Sequence, residues 1–322
     1  PTRSPWIYAL SLAVYCTAWT YFGSVGRAAS DGLWFLPIYL GPTLAMVLGW
    51  SLLRRVVRLA RSQRLTTIAD FIAARYGKSP LLAGWVTLFT VVGIVPYIAL
   101  QIKGIAVATA VITGQPLDGS AGVPWWRDST LHLALALAVF TIVFGVRHWD
   151  GTERHAGMVT AIALESVVKL VAFLAVGAWV TWGLMDGPGA LLASAAADPA
   201  LARLLTLGNA SAFAWSSWFA LMLLAALAVL LLPRQFQVMV VEVEDERHLK
   251  RAAWVFPLYL WLINLFVLPL ALAGLILWGP QAAAQAELFV LRLPQAAGAD
   301  ALVLLVFLGG LSAATGMVIV ES

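Results

Sequence analysis

The chain has 322 residues, of which 61% are hydrophobic and 11% charged, and its net charge at pH 7 is +4. Together with a mean hydropathy of +0.89, these values exclude an ordinary soluble domain and predict a polytopic membrane protein. The charge does not indicate nucleic-acid binding, because the cationic residues cluster between apolar stretches. The chain begins at Pro1 and ends at Ser322, directly after an apolar stretch, so we expect a piece of a longer protein.

Eight apolar stretches are long enough to cross the hydrocarbon core of a bilayer, which takes roughly 20 helical residues. No alternating strand pattern competes with them, so the sequence predicts an all-α polytopic membrane protein. The predicted spans are 5–27, 32–53, 80–113, 129–147, 157–184, 211–233, 253–279 and 300–320.

The first span contains an unusual segment, Tyr15–Leu33 (YCTAWTYFGSVGRAASDGL), in which hydroxyl side chains and glycines interrupt the apolar run. Membrane backbone becomes irregular only where protein or a wet cavity satisfies the freed polar groups. The segment therefore predicts a binding-site helix. The alternative is a small-residue contact between helices, although Gly23 and Gly26 are one residue too close for the usual spacing.

Basic residues predict the orientation of the chain. Most Lys and Arg residues fall in alternate loops, which predicts a multi-pass membrane protein with a cytoplasmic amino-terminal end. The segment Arg54–Arg64 (RRVVRLARSQR) has a basic face, as expected beside an anionic inner leaflet. After it, Thr66 or Thr67 can cap a short helix that Gly77 ends.

Two ionisable residues, Glu165 and Lys169, lie in the middle of the fifth span at i and i+4. This spacing predicts an intramembrane charge pair on one helical face. In one interpretation the pair neutralises itself so that the helix can insert. In the other, the carboxylate faces an internal cavity and holds a proton or a cation.

Further polar residues in the spans have two interpretations each. Lys103 either extends to the interface or faces the core with Gln101. Ser312 and Thr315 either allow close helix packing or ligate a cation. Pro233, after a leucine-rich run, predicts a helix end at the cytoplasmic boundary.

Motifs for covalent chemistry are missing from the sequence. None of the four histidines has the spacing of a zinc-type metal site, and there is no P-loop, nucleotide fingerprint or nucleophile elbow. The sequence therefore predicts no catalytic residues, no zinc-type metal and no cofactor.

Several motifs resemble those of the sodium:solute symporter superfamily, and they occur in the expected order. They are TTIADFIAARYG, the segment YCTAWTYFGSVGRAASDGL, the run LLLPRQFQVMVVEVEDERHLKRA and the final LGGLSAATGMVIVES. With VGIVPYIALQIK, the set is most similar to the transporter-like sensor module of CbrA-type histidine kinases. In that group a symporter-like domain is fused to PAS and kinase domains.

The resemblance implies a LeuT-like five-plus-five inverted-repeat helix bundle, with the substrate at the midplane between broken helices. Residues 1–322 would form one symporter-like transmembrane domain, incomplete at both ends and truncated to about eight core helices. PAS and kinase domains would follow in the parent chain, so the full-length protein would be a sensor histidine kinase.

The resemblance also implies site residues. The cation site would combine backbone carbonyls near Ala13 and Cys16 with the hydroxyls of Ser312 and Thr315. The substrate contacts would be Thr17, Trp19, Thr20, Gly23, Tyr97 and Gln101.

The sequence departs from the superfamily pattern at the presumed sodium site. Tyr15 stands where proline symporters have an acidic residue, and Ala313 and Ala314 stand where adjacent hydroxyls are expected. Each lost oxygen weakens a site for a dehydrated sodium ion. The coupling ion could therefore be sodium or a proton, or transport could be uncoupled.

Three functions remain open at this point. The first is a membrane sensory domain that binds and in one version transports an amino acid, with histidine as the leading ligand, and signals to a kinase domain and a response regulator. The second is a stand-alone symporter for an amino acid or another small organic solute, coupled to sodium or protons. The third is a membrane scaffold without transport. In each case the bilayer is a partner.

Overall fold

The computed structural model describes residues 4–114, 126, 129–145, 156–207 and 212–321. Every regular element within these ranges is helical, which confirms the all-α prediction. Four basic residues that contributed to the predicted orientation lie outside the described ranges: Arg3, Arg127, Arg147 and Arg154.

Fifteen α-helices follow one another in the described residues. The first seven are α1 (Pro5–Ser11), α2 (Ser24–Asp31), α3 (Pro37–Gln63), α4 (Ile68–Arg75), α5 (Pro80–Thr113), α6 (Ser129–Gly145) and α7 (Ala156–Ala178). The remaining eight are α8 (Pro188–Ala197), α9 (Pro199–Ala202), α10 (Ala212–Leu231), α11 (Pro233–Phe236), α12 (Glu246–Asn264), α13 (Val267–Trp278), α14 (Phe289–Ala296) and α15 (Asp300–Glu321). Short 3₁₀ and π-helical turns connect several of them.

Fewer helices than predicted are long and apolar enough to cross a membrane. Among the described residues there are five, or six if a pair bent by 65° at Leu36 counts as one span. The predicted span 5–27 is interrupted after α1, and the last two residues of the predicted span 129–147 lie outside the described ranges. The five are Pro80–Thr113, Gly157–Leu184, Ala214–Leu231, Glu246–Trp278 and Asp300–Glu321.

Helix caps follow from local sequence. The Thr67 hydroxyl accepts a hydrogen bond from the backbone N–H of Asp70 at 3.0 Å, so the predicted cap of α4 is confirmed. Gly77 follows this helix with φ +69°, in the left-handed region that glycine adopts without strain. Asp245 caps α12 in the same way, and the N–H of Arg247 holds the pKa of that carboxyl below its ordinary value.

The basic end of α3 has protein partners. Arg54 Nε and Arg58 Nε bind the Glu246 carboxylate at 2.8 and 2.9 Å. Arg61 donates to the backbone carbonyls of Val243 and Glu244. The basic face that the sequence suggested for a lipid leaflet therefore fastens α3 to the start of α12.

Close packing of α3 against α10 depends on Gly41. A Cβ atom at this position would collide with the Met222 carbonyl and lie 2.8 Å from the Ala226 backbone nitrogen. Both obstacles are backbone atoms, which cannot rotate away. Gly41 therefore sets the distance between the two helices.

We expect Gly41→Val to destabilise the protein by about 1–3 kcal/mol, the usual cost of overpacking. The change would be measured as a lower thermal midpoint of the purified protein in detergent. Gly49 is the matched control, because it lies on the same helix and a Cβ there would meet nothing within 4 Å. Equal midpoints for Gly41→Val and Gly49→Val would show that the close contact does not limit stability.

Candidate functional site

The first predicted site segment is a broken helix. After α1 the chain makes a 3₁₀ turn at Leu12–Tyr15, and Cys16 adopts an extended conformation with ψ 95°. Helical structure resumes in a π-helical turn, Trp19–Gly23, that leads into α2. The break frees backbone groups that must find other partners inside a membrane.

Side chains from distant helices satisfy this break. The backbone N–H of Ala18 donates to Gln101 Oε1 on α5 at 2.9 Å. Gln235 Nε2 lies 3.5 Å from the Leu12 carbonyl. Gln101 is completely buried, whereas Lys103 is exposed, so Lys103 does not face the core with Gln101.

Lys169 makes the strongest contacts with the break. Its Nζ donates to the carbonyl oxygens of Ala13 and Cys16, each at 2.8 Å, and its side chain is buried, with 3% exposure. These two carbonyls are the ones that the sequence resemblance assigned to a cation. An ammonium group needs the same kind of oxygen partners as a metal cation when it is buried.

Glu165 lies one turn from Lys169 on α7 but binds different groups. Thr315 Oγ1 on α15 donates to its carboxylate at 3.3 Å, and Ser312 Oγ lies 3.5 Å from its backbone carbonyl. Gly316 also faces Glu165, and a Cβ atom there would collide with Oε2. The two hydroxyls named in the sequence thus lie beside the helix that carries Lys169, in a close α7–α15 contact.

A second break follows α10. Leu232 has an extended conformation (ψ 133°), and the chain continues as α11 and a π-helical turn, Gln237–Val241. Helix α10 ends at Leu231, as Pro233 predicted, and Arg234 and Gln235 after it are buried in the protein. Tyr8 Oη donates to the Met239 carbonyl at 2.8 Å, so the two broken segments are in direct contact.

Arg234 is the centre of a polar chain between the two breaks. Its Nη1 forms an ion pair with Glu321 Oε1 at 2.7 Å, and its Nη2 lies 3.3 Å from the hydroxyl of Tyr97. The guanidinium also lies over the Tyr97 ring, 4.7 Å from the centroid. The Tyr97 hydroxyl is 3.0 Å from Thr17 Oγ1. Arg234 therefore links α15 to the first break through Tyr97.

A cavity of 660 Å³ lies beside the polar chain that runs through Arg234 and Tyr97. The cavity is large enough for a small organic ligand. Three of the predicted substrate residues line it: Trp19, Thr20 and Tyr97. Thr17 contacts the Tyr97 hydroxyl, and Gln101 accepts a hydrogen bond from the backbone N–H of Ala18. Gly23 borders a smaller cavity of 70 Å³, which Trp19 also lines. The remaining lining residues are Tyr15, Ile38, Val86, Phe89, Thr90, Gly93, Ile94, Leu100, Ala228, Leu231, Leu232, Pro233, Arg234 and Glu321.

Sequence reasoning missed Arg234 and Glu321 as site residues. Arg234 directly follows Pro233, and a proline in a span interrupts the helical hydrogen bonds and leaves backbone groups without helical partners. Glu321 is the acidic residue at the end of an otherwise apolar helix. Both signals are present in the sequence, but neither shows that residues 87 positions apart would form a pair.

Comparison with known proteins gives two relatives. The chain is 25% identical to the uncharacterized symporter YhjB of Bacillus subtilis over 289 residues, which are 89% of this chain and 54% of YhjB. It is 33% identical to the uncharacterized symporter YodF of the same organism over 89 residues, 28% of this chain and 18% of YodF.

The chain thus spans about half the length of YhjB and a smaller part of YodF. No protein-family model matches the chain, and no solved structure matches it. The similarity to YhjB, which extends over most of the chain, and the long apolar helices together support a multi-pass membrane transporter.

Proposed function

We propose that this chain is the transmembrane core of a secondary transporter for a small organic solute, in which the Lys169 ammonium replaces a coupling metal cation. The proposal depends above all on the two 2.8 Å hydrogen bonds from Lys169 Nζ to the carbonyl oxygens of Ala13 and Cys16. The similarity to a symporter supports transport as the function.

The replacement has a physical consequence for coupling. A buried ammonium already supplies one positive charge to the carbonyl dipoles of the first break, and a sodium ion at the same oxygens would meet a like charge at close range. The lysine side chain is charged only while its ε-amino group carries a proton, whereas a sodium ion is always charged. We therefore propose proton coupling in place of sodium coupling.

A transport step follows from the same contacts. The protonated Lys169 fastens the first break, at Ala13 and Cys16, to α7. Loss of the proton removes the charge that balances these carbonyl dipoles and weakens the attachment. The α1 half of the broken span is then free to move relative to α7, which would alternate access to the cavity beside Trp19.

Two broken helices that contact each other support a finer proposal about the fold. The contact of Tyr8 with Met239 joins the first break to the second, as expected for a LeuT-like inverted repeat of the sodium:solute symporter superfamily. We propose an orientation with the basic end of α3 in the cytoplasm, because Lys and Arg favour that side. The link to a sensor kinase and a response regulator stays a prediction.

Uptake by the purified full-length protein in proteoliposomes tests the function. Radiolabelled amino acids, monosaccharides and short carboxylic acids would be offered singly, with an inward gradient of protons, of sodium, or of neither. We expect at least one solute to accumulate when the proton gradient is present. We expect a sodium gradient alone to give no more uptake than a matched potassium gradient.

Each outcome of this experiment bears on the proposal. Accumulation that requires sodium and ignores protons would overturn the role given to Lys169. Failure of every solute to enter, with the protein shown to be inserted and folded, would overturn transport itself. Proton-driven accumulation of any single solute supports both.

A further inference from the structure

Arg234 and Glu321 form a buried ion pair beside the large cavity, and each keeps one atom without a partner. Their side chains are only 2% and 1% exposed. Within the described part of the chain, Arg234 Nε and Glu321 Oε2 are buried polar atoms with no hydrogen-bond partner. Such atoms are rare in folded proteins because they are costly, and they call for an explanation such as a missing ligand.

We propose that this pair binds a zwitterionic solute, with the carboxylate of the solute on Arg234 and its ammonium group on Glu321. The inference rests on the proposed transport function, since it names the class of solute that enters the same cavity. Arg234 Nε carries an N–H donor and needs an acceptor, whereas Glu321 Oε2 is an acceptor and needs a donor.

Charge separates this class of solute from the alternatives. Arg234 and Glu321 are the charged residues of the cavity lining, so the site as a whole is neutral. A simple anion would satisfy Arg234 but would lie beside the Glu321 carboxylate, and a simple cation would meet the reverse problem. A solute with both charges matches both residues and leaves no net charge buried.

Neighbouring side chains position Arg234 for this role. The Tyr97 ring covers one face of the guanidinium, and the Tyr97 hydroxyl contacts Nη2. Glu321 binds Nη1. The groups that would surround the rest of the solute are mainly apolar and aromatic, including Trp19 and Phe89. This combination of few oriented polar groups and apolar walls is typical of small-molecule sites.

Binding of the standard L-amino acids to the purified full-length protein is the first test. Each would be titrated singly while thermal stabilisation is measured. We expect at least one amino acid with an uncharged side chain to bind. We expect the amine that lacks its carboxylate, and the acid that lacks its amino group, to bind about 10- to 100-fold more weakly, because each loses one charge-assisted hydrogen bond.

Variants of the pair supply the second test. Arg234→Gln and Glu321→Gln each leave one buried charge alone and could fail to fold, so the double variant Arg234→Gln/Glu321→Gln is included. In the folded double variant we expect the preference for the amino acid over its amine and its acid to disappear. The control is Arg54→Gln/Glu246→Gln, which removes a distant ion pair of 2.8 Å and should leave all three affinities unchanged.

The outcomes separate this inference from the proposed function. An amine or acid that binds as tightly as its parent amino acid, a double variant that keeps the preference, or binding of no amino acid would overturn the zwitterion site. Proton-driven uptake of a sugar would then still support transport. Conversely, selective binding of an amino acid without any uptake would support the site and count against transport.

Discussion

Replacing Lys169 with alanine is expected to make the stability of the protein depend on sodium. The substitution removes the ammonium but keeps the carbonyl oxygens of Ala13 and Cys16, and the Thr315 hydroxyl and Glu165 carboxylate remain nearby. Oxygen ligands of this kind suit a hard cation. A ligand that binds only the folded state at a hundred times its dissociation constant stabilises it by about 2.7 kcal/mol.

Thermal midpoints in matched concentrations of sodium, potassium and choline chloride would measure this effect. We expect the thermal midpoint of the wild-type protein to be the same in the three salts. The midpoint of Lys169→Ala should be raised by sodium alone. Lys169→Arg keeps a permanent positive charge and should not respond to sodium. The surface substitution Lys250→Ala, at an exposed position, is the control for a general loss of charge.

Two results would contradict this prediction. A wild-type protein that sodium stabilises would show that a metal site exists beside Lys169 rather than in its place. A folded Lys169→Ala variant without a sodium response would show that the freed carbonyls do not form a cation site. In proteoliposomes, the same variant is expected to lose proton-driven accumulation, since the residue proposed to carry the proton is gone.

The second large effect is expected from the pair Glu165 and Lys169. Lys169→Met should cost about 3–5 kcal/mol, because it leaves two buried carbonyls without donors and the Glu165 charge without a nearby cation. Glu165→Gln keeps a side-chain oxygen for Thr315 but leaves Lys169 as the uncompensated charge. In the double variant neither charge remains, so we expect a loss smaller than the sum of the single losses, by about 0.5–3 kcal/mol.

Free energies of unfolding in detergent, from denaturant titration of all four proteins, would measure this coupling. The comparison cycle combines Glu165→Gln with Lys103→Met, because Lys103 is exposed and lies on another helix. Its two effects should add. If the effects of Glu165→Gln and Lys169→Met also add, the two charges do not stabilise each other.

Several features of the site could be predicted from local sequence. Glycines and hydroxyls between Tyr15 and Leu33 indicated a break, and the structure has an extended Cys16 followed by a π-helical turn at Trp19–Gly23 in this segment. Close packing was one of the two interpretations of Ser312 and Thr315 in the last helix, and the neighbouring Gly316 lies against Glu165. These signals work because small residues and local polar groups act on the backbone that carries them.

Other features depended on partners far away in the sequence. The spacing of Glu165 and Lys169 predicted a pair, but the Lys169 ammonium binds carbonyls 153 and 156 positions earlier. Arg234 had the pattern of a boundary residue, yet it pairs with Glu321 in the interior. Hydropathy predicted one continuous span at 5–27, where the structure has a break after α1, because hydropathy measures how apolar a segment is and does not detect a break within it.

The sequence by itself determined the class of protein, the positions of most long helices and the place of the first break, because composition and local pattern decide which segments enter a membrane. Only the tertiary structure decided which charge fills that break and which charges line the cavity. A buried polar group is stabilised by whatever partner the packing of distant helices brings within hydrogen-bond distance. For the carbonyls of Ala13 and Cys16, that partner is Lys169.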